Sequence, residues 1–192
     1  MKLNPVSRAL ILASFIGTFG EAMFIPVYPL FTESVGGSLL DIGIGFAIFN
    51  MFVGGFVATV GQTEWFEKKV NLALIMAAGI FLVGDLCLLG VKTQLELFAV
   101  QAVLGTALGI FNSAWDAMYS EDEESSQAKK WSFWTGGVSF VVGVASLCGP
   151  CVVHYLGYKG LFISMAAIDV ISIIYAGIAS KRWTITIEGE TV

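Results

Sequence analysis

The sequence predicts an all-α membrane protein: a six-transmembrane-helix bundle with both termini cytoplasmic. Three observations carry that prediction. Apolar and aromatic residues fill 56% of the 192 positions and Asp, Glu, Lys and Arg only 13%, where a soluble domain averages about 25% charged. Mean hydropathy is +0.81, more apolar surface than one soluble core of this size can hide. Six stretches reach the length of about 20 mostly apolar residues needed to cross hydrocarbon. Disorder is excluded, because it needs low hydrophobicity and high charge. Nucleic-acid binding is excluded by a net charge of −5 and by basic runs no longer than two residues.

The first span runs from about Ala9 to Phe31. Its apolar run exceeds the ~7–15 residues of a signal peptide and ends in no small-x-small cleavage site, so it is read as a span. Ser14, Gly17, Thr18, Glu21 and Tyr28 fall on one side of it at helical spacing. Pro26 and Pro29 each remove an amide hydrogen, freeing the carbonyls of Ala22 and Ile25. Freed carbonyls at membrane depth must meet protein or a water-filled cavity. Glu21 is therefore read as a proton or cation site on a cavity-facing helix.

The second span, about Leu40 to Gln62, carries Gly43, Ala47, Asn50, Gly54, Ala58 and Gly61 on one face. Small residues let helix backbones approach closely, so this face is expected at a tight helix contact, including one between chains. The third span, about Val70 to Gly90, contains Asp85 and Cys87. The fourth, about Leu95 to Tyr119, has Gln101, Gly105, Gly109, Asn112 and Asp116 spaced 4, 4, 3 and 4, which gathers them on one helix face. The fifth, about Trp131 to Val153, presents Gly136, Gly143 and Pro150 on a face like that of the second. The sixth, about Leu161 to Ser180, holds Asp169 between Ser164 and Ser172.

The joints are Thr32–Leu39, Thr63–Lys69, Val91–Gln94, Ser120–Lys130 and His154–Gly160, leaving a membrane domain over residues 1–182 and a short tail over 183–192. Lys2, Arg8, Lys68, Lys69, Lys129, Lys130, Lys181 and Arg182 fall on one side, and only Lys92 and Lys159 on the other. The positive-inside bias places both termini in the cytoplasm. The acidic cluster Glu121–Glu124 then reads as a solvated cytoplasmic loop. Glu21, Asp85, Asp116 and Asp169 lie within spans, where ionisable groups point to function by default, and no Lys, Arg or His accompanies them. For Asp85 and Asp169 the structural and functional readings stay level.

Enzyme signals are few. Cys148-Gly149-Pro150-Cys151 has the composition of a thioredoxin redox motif, but no strand precedes it, and a thiol buried in an apolar span is inert. His154 is the only histidine, too few for a His-rich metal site. No Walker loop, Gly-x-Ser-x-Gly elbow or His-Glu-x-x-His occurs. No metal or cofactor is expected.

Several of these features resemble one six-helix half of a major facilitator superfamily transporter. Phe24-Ile25-Pro26-Val27-Tyr28-Pro29-Leu30 is similar to the family's first span. The family pattern between spans two and three is G-x-x-x-D-R-x-G-R-R; here Gly61, Glu64, Lys68 and Lys69 retain its glycine, an acid and the terminal basic pair. The fourth-span pattern R-x-x-x-G-x-x-x-G is met by Gln101, Gly105 and Gly109, with Gln in place of Arg. Gly143 to Gly149-Pro150 is similar to a glycine-rich fifth span ending in Gly-Pro. The resemblance implies that spans one and four line a central cavity, spans two and five meet a second half, and spans three and six support from outside.

The resulting expectation is a half-sized secondary transporter working by alternating access as a homodimer, or with a separate six-helix half, in the plasma or inner membrane. Its solute and proton site is expected at Glu21, Thr18, Tyr28, Gln101, Asn112 and Asp116, with Gly61, Glu64, Lys68 and Lys69 as a gating loop. Acids without basic counter-charges favour protons, a cation or a neutral solute over anions. The rivals are a membrane thiol oxidoreductase using Cys148 and Cys151, and a non-transporting membrane scaffold.

Overall fold

The computed structural model describes residues 4–120 and 127–190, with side chains as far as residue 185. The acidic cluster Glu121–Glu124 lies outside the described residues. Among the described residues the regular structure is helical: α1 (Pro5–Phe24), a 3-10 turn (Ile25–Val27), α2 (Tyr28–Ser34), α3 (Leu39–Val60), α4 (Glu64–Leu88), α5 (Gln94–Ser120) and α6 (Gln127–Glu190). Five helical stretches are long and apolar enough to cross a membrane, α1 to α2 counting as one.

Local chemistry sets these boundaries. The Asn4 side chain accepts from the Ser7 amide at 2.7 Å, and Pro5 occupies the first turn, where its missing N–H costs nothing. Pro26 lies in the 3-10 turn between α1 and α2, and Pro29 in the first turn of α2. Gly36, at φ 84°, turns the chain after α2. Ser38 and Asp41 then form a capping box that starts α3.

Two joints differ from expectation. Residues 64–68, expected in a loop, form a short helical turn that breaks from the rest of α4 at Lys69 (φ −136°, ψ 28°), so that the span itself resumes at Val70 as expected. Thr63 caps that helix by accepting from the Phe66 amide at 3.2 Å, and Glu64 and Glu67 suit the positive end of its dipole. The expected seven-residue joint His154–Gly160 shrinks to one non-helical residue, Gly157, at φ 69° and ψ −179°. That conformation is open to glycine and strained for any residue with a Cβ. Without it α6 would be one rod of 64 residues, about 96 Å at ~1.5 Å per residue, against a hydrocarbon core of about 30 Å. Helical structure also runs past residue 180 to Glu190, where a tail was expected. The Asn71 amide of α4 donates to Thr184 at 3.2 Å within that extension.

α1 packs chiefly on α6, α3 on α5, and α4 on both α5 and α6. Without water, buried polar groups must find partners inside the bundle. The Trp115 indole N–H donates to the Leu10 carbonyl at 3.1 Å, the Trp134 indole to the Ser14 hydroxyl at 3.1 Å, and the Ser172 hydroxyl to the Ala13 carbonyl at 3.1 Å. These three bonds tie α5 and both ends of α6 to α1. α3 is the outlying helix: Gly45 is its one buried residue, and Leu39, Leu40 and Met51 stand exposed.

Candidate functional site

A cavity of about 720 Å³ opens between the helices. α1 brings Thr18 and Glu21 to its wall, α2 brings Tyr28, and α5 brings Gln101, Asn112 and Asp116. All six residues expected at the solute and proton site thus line one space. Gln101 and Tyr28 are buried, Thr18, Glu21 and Asn112 half-buried, and Asp116 exposed. Tyr28 reaches α3 through an edge-on contact with Phe46 at 4.8 Å, and its hydroxyl occupies the place that a Cβ on Gly45 would take.

Much of the wall is aromatic. Trp115 stacks on Trp134 at 4.4 Å and on Tyr119 at 4.2 Å, with Trp131 edge-on. Both stacked indoles have committed their N–H to α1. What they offer a solute is therefore apolar and π surface. Beside this wall Lys130 is buried, donating to the Tyr119 carbonyl and lying 4.4 Å from the centre of its ring. A cation near the last turn of α5 suits the negative end of that helix.

The structure also brings together residues that the sequence left apart. Asp169, from the far end of α6, lines the cavity with Glu21. Asp85 of α4 joins them, so that one carboxylate oxygen from each of the three lies within 4.8 Å of the others. The available signal was that an acid inside a span faces the bundle interior. That rule turns Asp85 and Asp169 inward but does not say that three helices deliver them to one point. Asn50, expected on the small-residue face of α3, lines the cavity as well, its side chain donating to the Phe46 carbonyl at 2.8 Å.

The remaining small-residue positions look outward. Gly43, Ala47, Gly54, Ala58 and Gly61 on α3, and Gly136, Gly143 and Pro150 on α6, are exposed. A Cβ on any of those five glycines would meet no atom within 4 Å. Tight contacts inside the bundle use other glycines. A Cβ on Gly105 would meet the Phe49 carbonyl oxygen of α3, and one on Gly109 the Val53 carbonyl oxygen at 2.8 Å. A Cβ on Gly149 would meet the Met23 carbonyl oxygen of α1. The Cys-Gly-Pro-Cys segment thus contains a packing glycine, with Cys148 half-buried and Cys151 exposed within the helical run. Glu64, Lys68 and Lys69 are exposed on α4, with Lys68 3.4 Å from Glu64.

In comparisons with known proteins, the family model of the Major Facilitator Superfamily matches residues 10–183. No curated protein matches the chain.

Proposed function

The chain belongs to the Major Facilitator Superfamily, a family of membrane transporters rather than enzymes, and we propose that it is a half-sized secondary active transporter working by alternating access. In this reading Gly157 divides α6 into two spans, giving six. The excess of Lys and Arg on one side puts both termini in the cytoplasm of a plasma or inner membrane. Alternating access rocks one bundle against another around a fixed site. The second bundle is a second copy of this chain, seated on the outward glycine faces of α3 and α6; a different six-helix half is the other possibility. Gly61, Glu64, Lys68 and Lys69 sit at the cytoplasmic turn where the two bundles would close.

The observation that carries the reading is the cavity itself. Thr18, Glu21, Gln101, Asn112 and Asp116 supply polar groups without a Lys, Arg or His among its lining residues, and tryptophans supply the apolar wall. A cationic or neutral small solute suits that lining, with coupling to protons or a cation through Glu21. The rival redox reading draws no support from Gly149, whose place is explained by packing.

The test uses purified protein in proteoliposomes carrying an internal pH dye, challenged with a panel of aromatic amines, aliphatic amines and neutral sugars. At least one solute is expected to drive a pH change in the wild type that Glu21→Gln abolishes. Wild-type rates in that variant contradict the role given to Glu21.

A further inference from the structure

We infer that Glu21, Asp85 and Asp169 form a binding site for one hard metal cation, calcium-sized and divalent, at the back wall of the cavity. Three helices supply one acid each: α1, α4 and the distal part of α6. One oxygen from each lies within 4.8 Å of the other two. Some point is then no more than about 2.8 Å from all three, near enough for one cation to touch an oxygen of each acid, and several carboxylates without a substrate phosphate are the donor set that Ca²⁺ takes, whereas Mg²⁺ keeps most of its waters.

A second observation points to a ligand. Asp85 is 0% exposed and Asp169 3% exposed. Both Asp85 oxygens, one Asp169 oxygen and one Glu21 oxygen find no donor outside the cluster, and a hydrogen bond between Asp85 and Asp169 is open to them only when one of the two carries a proton. Buried carboxylates are ordinarily paired or hydrogen-bonded, or they coordinate a metal. The electrostatic surroundings of the three acids are one another, with no Lys, Arg or His contributing. No basic side chain offsets their charge, so protons or a cation from outside the side-chain set do so. A divalent ion neutralises two carboxylates and a single proton the third, whereas a monovalent ion leaves two to be protonated. Carboxylate oxygens are the donor type of hard cations. Glu21 and Asp169 open onto the cavity and Asp85 does not line it, so the ion would enter from the cavity side and rest against Asp85.

This inference deepens the transport reading by naming the ion, and its test is a binding measurement that needs no transport. The metal-stripped full chain in lipid nanodiscs, in sodium-free buffer, is titrated calorimetrically with Ca²⁺, Mg²⁺ and Na⁺ separately. One Ca²⁺ per chain is expected, bound at least tenfold more tightly than Mg²⁺, with a rise in the thermal unfolding midpoint. Asp85→Asn and Asp169→Asn should each weaken binding at least tenfold, and the surface variant Glu67→Gln should not. Glu21→Gln gives the same readout should either Asn variant fail to fold. Absence of saturable Ca²⁺ binding, or binding unaltered in the folded variants, overturns the site. A response to Na⁺ alone, or to Mg²⁺ as strongly as to Ca²⁺, overturns the ion assignment. Calcium binding by a chain that moves no solute keeps the site and removes the transport reading; transport without cation binding does the reverse.

Discussion

Asp85 and Asp169, on α4 and on the distal part of α6, meet in one buried space beside Glu21 of α1. Neither residue is near the other in the chain, and neither belongs to a polar stripe. Their meeting gathers three acidic side chains at one junction of three helices, and Glu21 and Asp169 bring it to the wall of the cavity.

The first prediction concerns Glu21. Glu21→Gln keeps the shape of the side chain and removes its charge. Solute-driven pH changes in proteoliposomes should fall at least tenfold, while the circular dichroism spectrum stays that of a helical bundle. Transport at the wild-type rate removes Glu21 from the coupling mechanism.

Gly157 offers a test of the fold. A Cβ at φ 69° and ψ −179° is strained by about 1–3 kcal/mol. Gly157→Ala should lower stability by that amount in denaturant titration. An unchanged midpoint would mean that the α6 break does not depend on glycine.

Two sets of glycines should behave differently. Gly109→Val forces a side chain against the Val53 carbonyl and the Phe56 Cβ of α3. Overpacking of this kind costs about 1–3 kcal/mol, so the melting temperature should drop. Gly54→Val faces open space; it should leave monomer stability unchanged and weaken pairing between bundles, read as a larger monomer fraction on dilution. Equal loss of stability in both variants contradicts this division of roles.

Trp115→Phe removes the indole N–H that serves the Leu10 carbonyl. That carbonyl keeps its own bond within α1, so losing the second donor should cost about 0.5–1.5 kcal/mol, measured as a shift in the denaturation midpoint. Cys148→Ser with Cys151→Ser, by contrast, should leave transport intact. Lost transport in that double variant would revive the redox reading.

Much of the cavity was legible in the sequence, because helical periodicity is a strong signal where polar residues are scarce. The spacing of Gln101, Gly105, Gly109, Asn112 and Asp116 put one face of α5 on view, and the structure places its three polar members at the cavity and its two glycines against α3. The break in α6 falls inside the expected joint His154–Gly160, but its confinement to the single residue Gly157 was not legible. In sequence that glycine looks like Gly136 or Gly143, and only the backbone distinguishes a positive φ from an ordinary helical one. Hydropathy alone likewise missed the helical turn before the Lys69 kink, because Glu64, Glu67, Lys68 and Lys69 are charged; capping by Thr63 decides it. The three-acid junction depends on tertiary packing of α1, α4 and α6, which no single-helix pattern encodes.

The pairing of two bundles around the Glu21 cavity is tested most directly by native mass spectrometry of the protein released from lipid nanodiscs. The account predicts two copies of the chain in one particle. A strictly single copy, with no second six-helix unit beside it, would contradict the account.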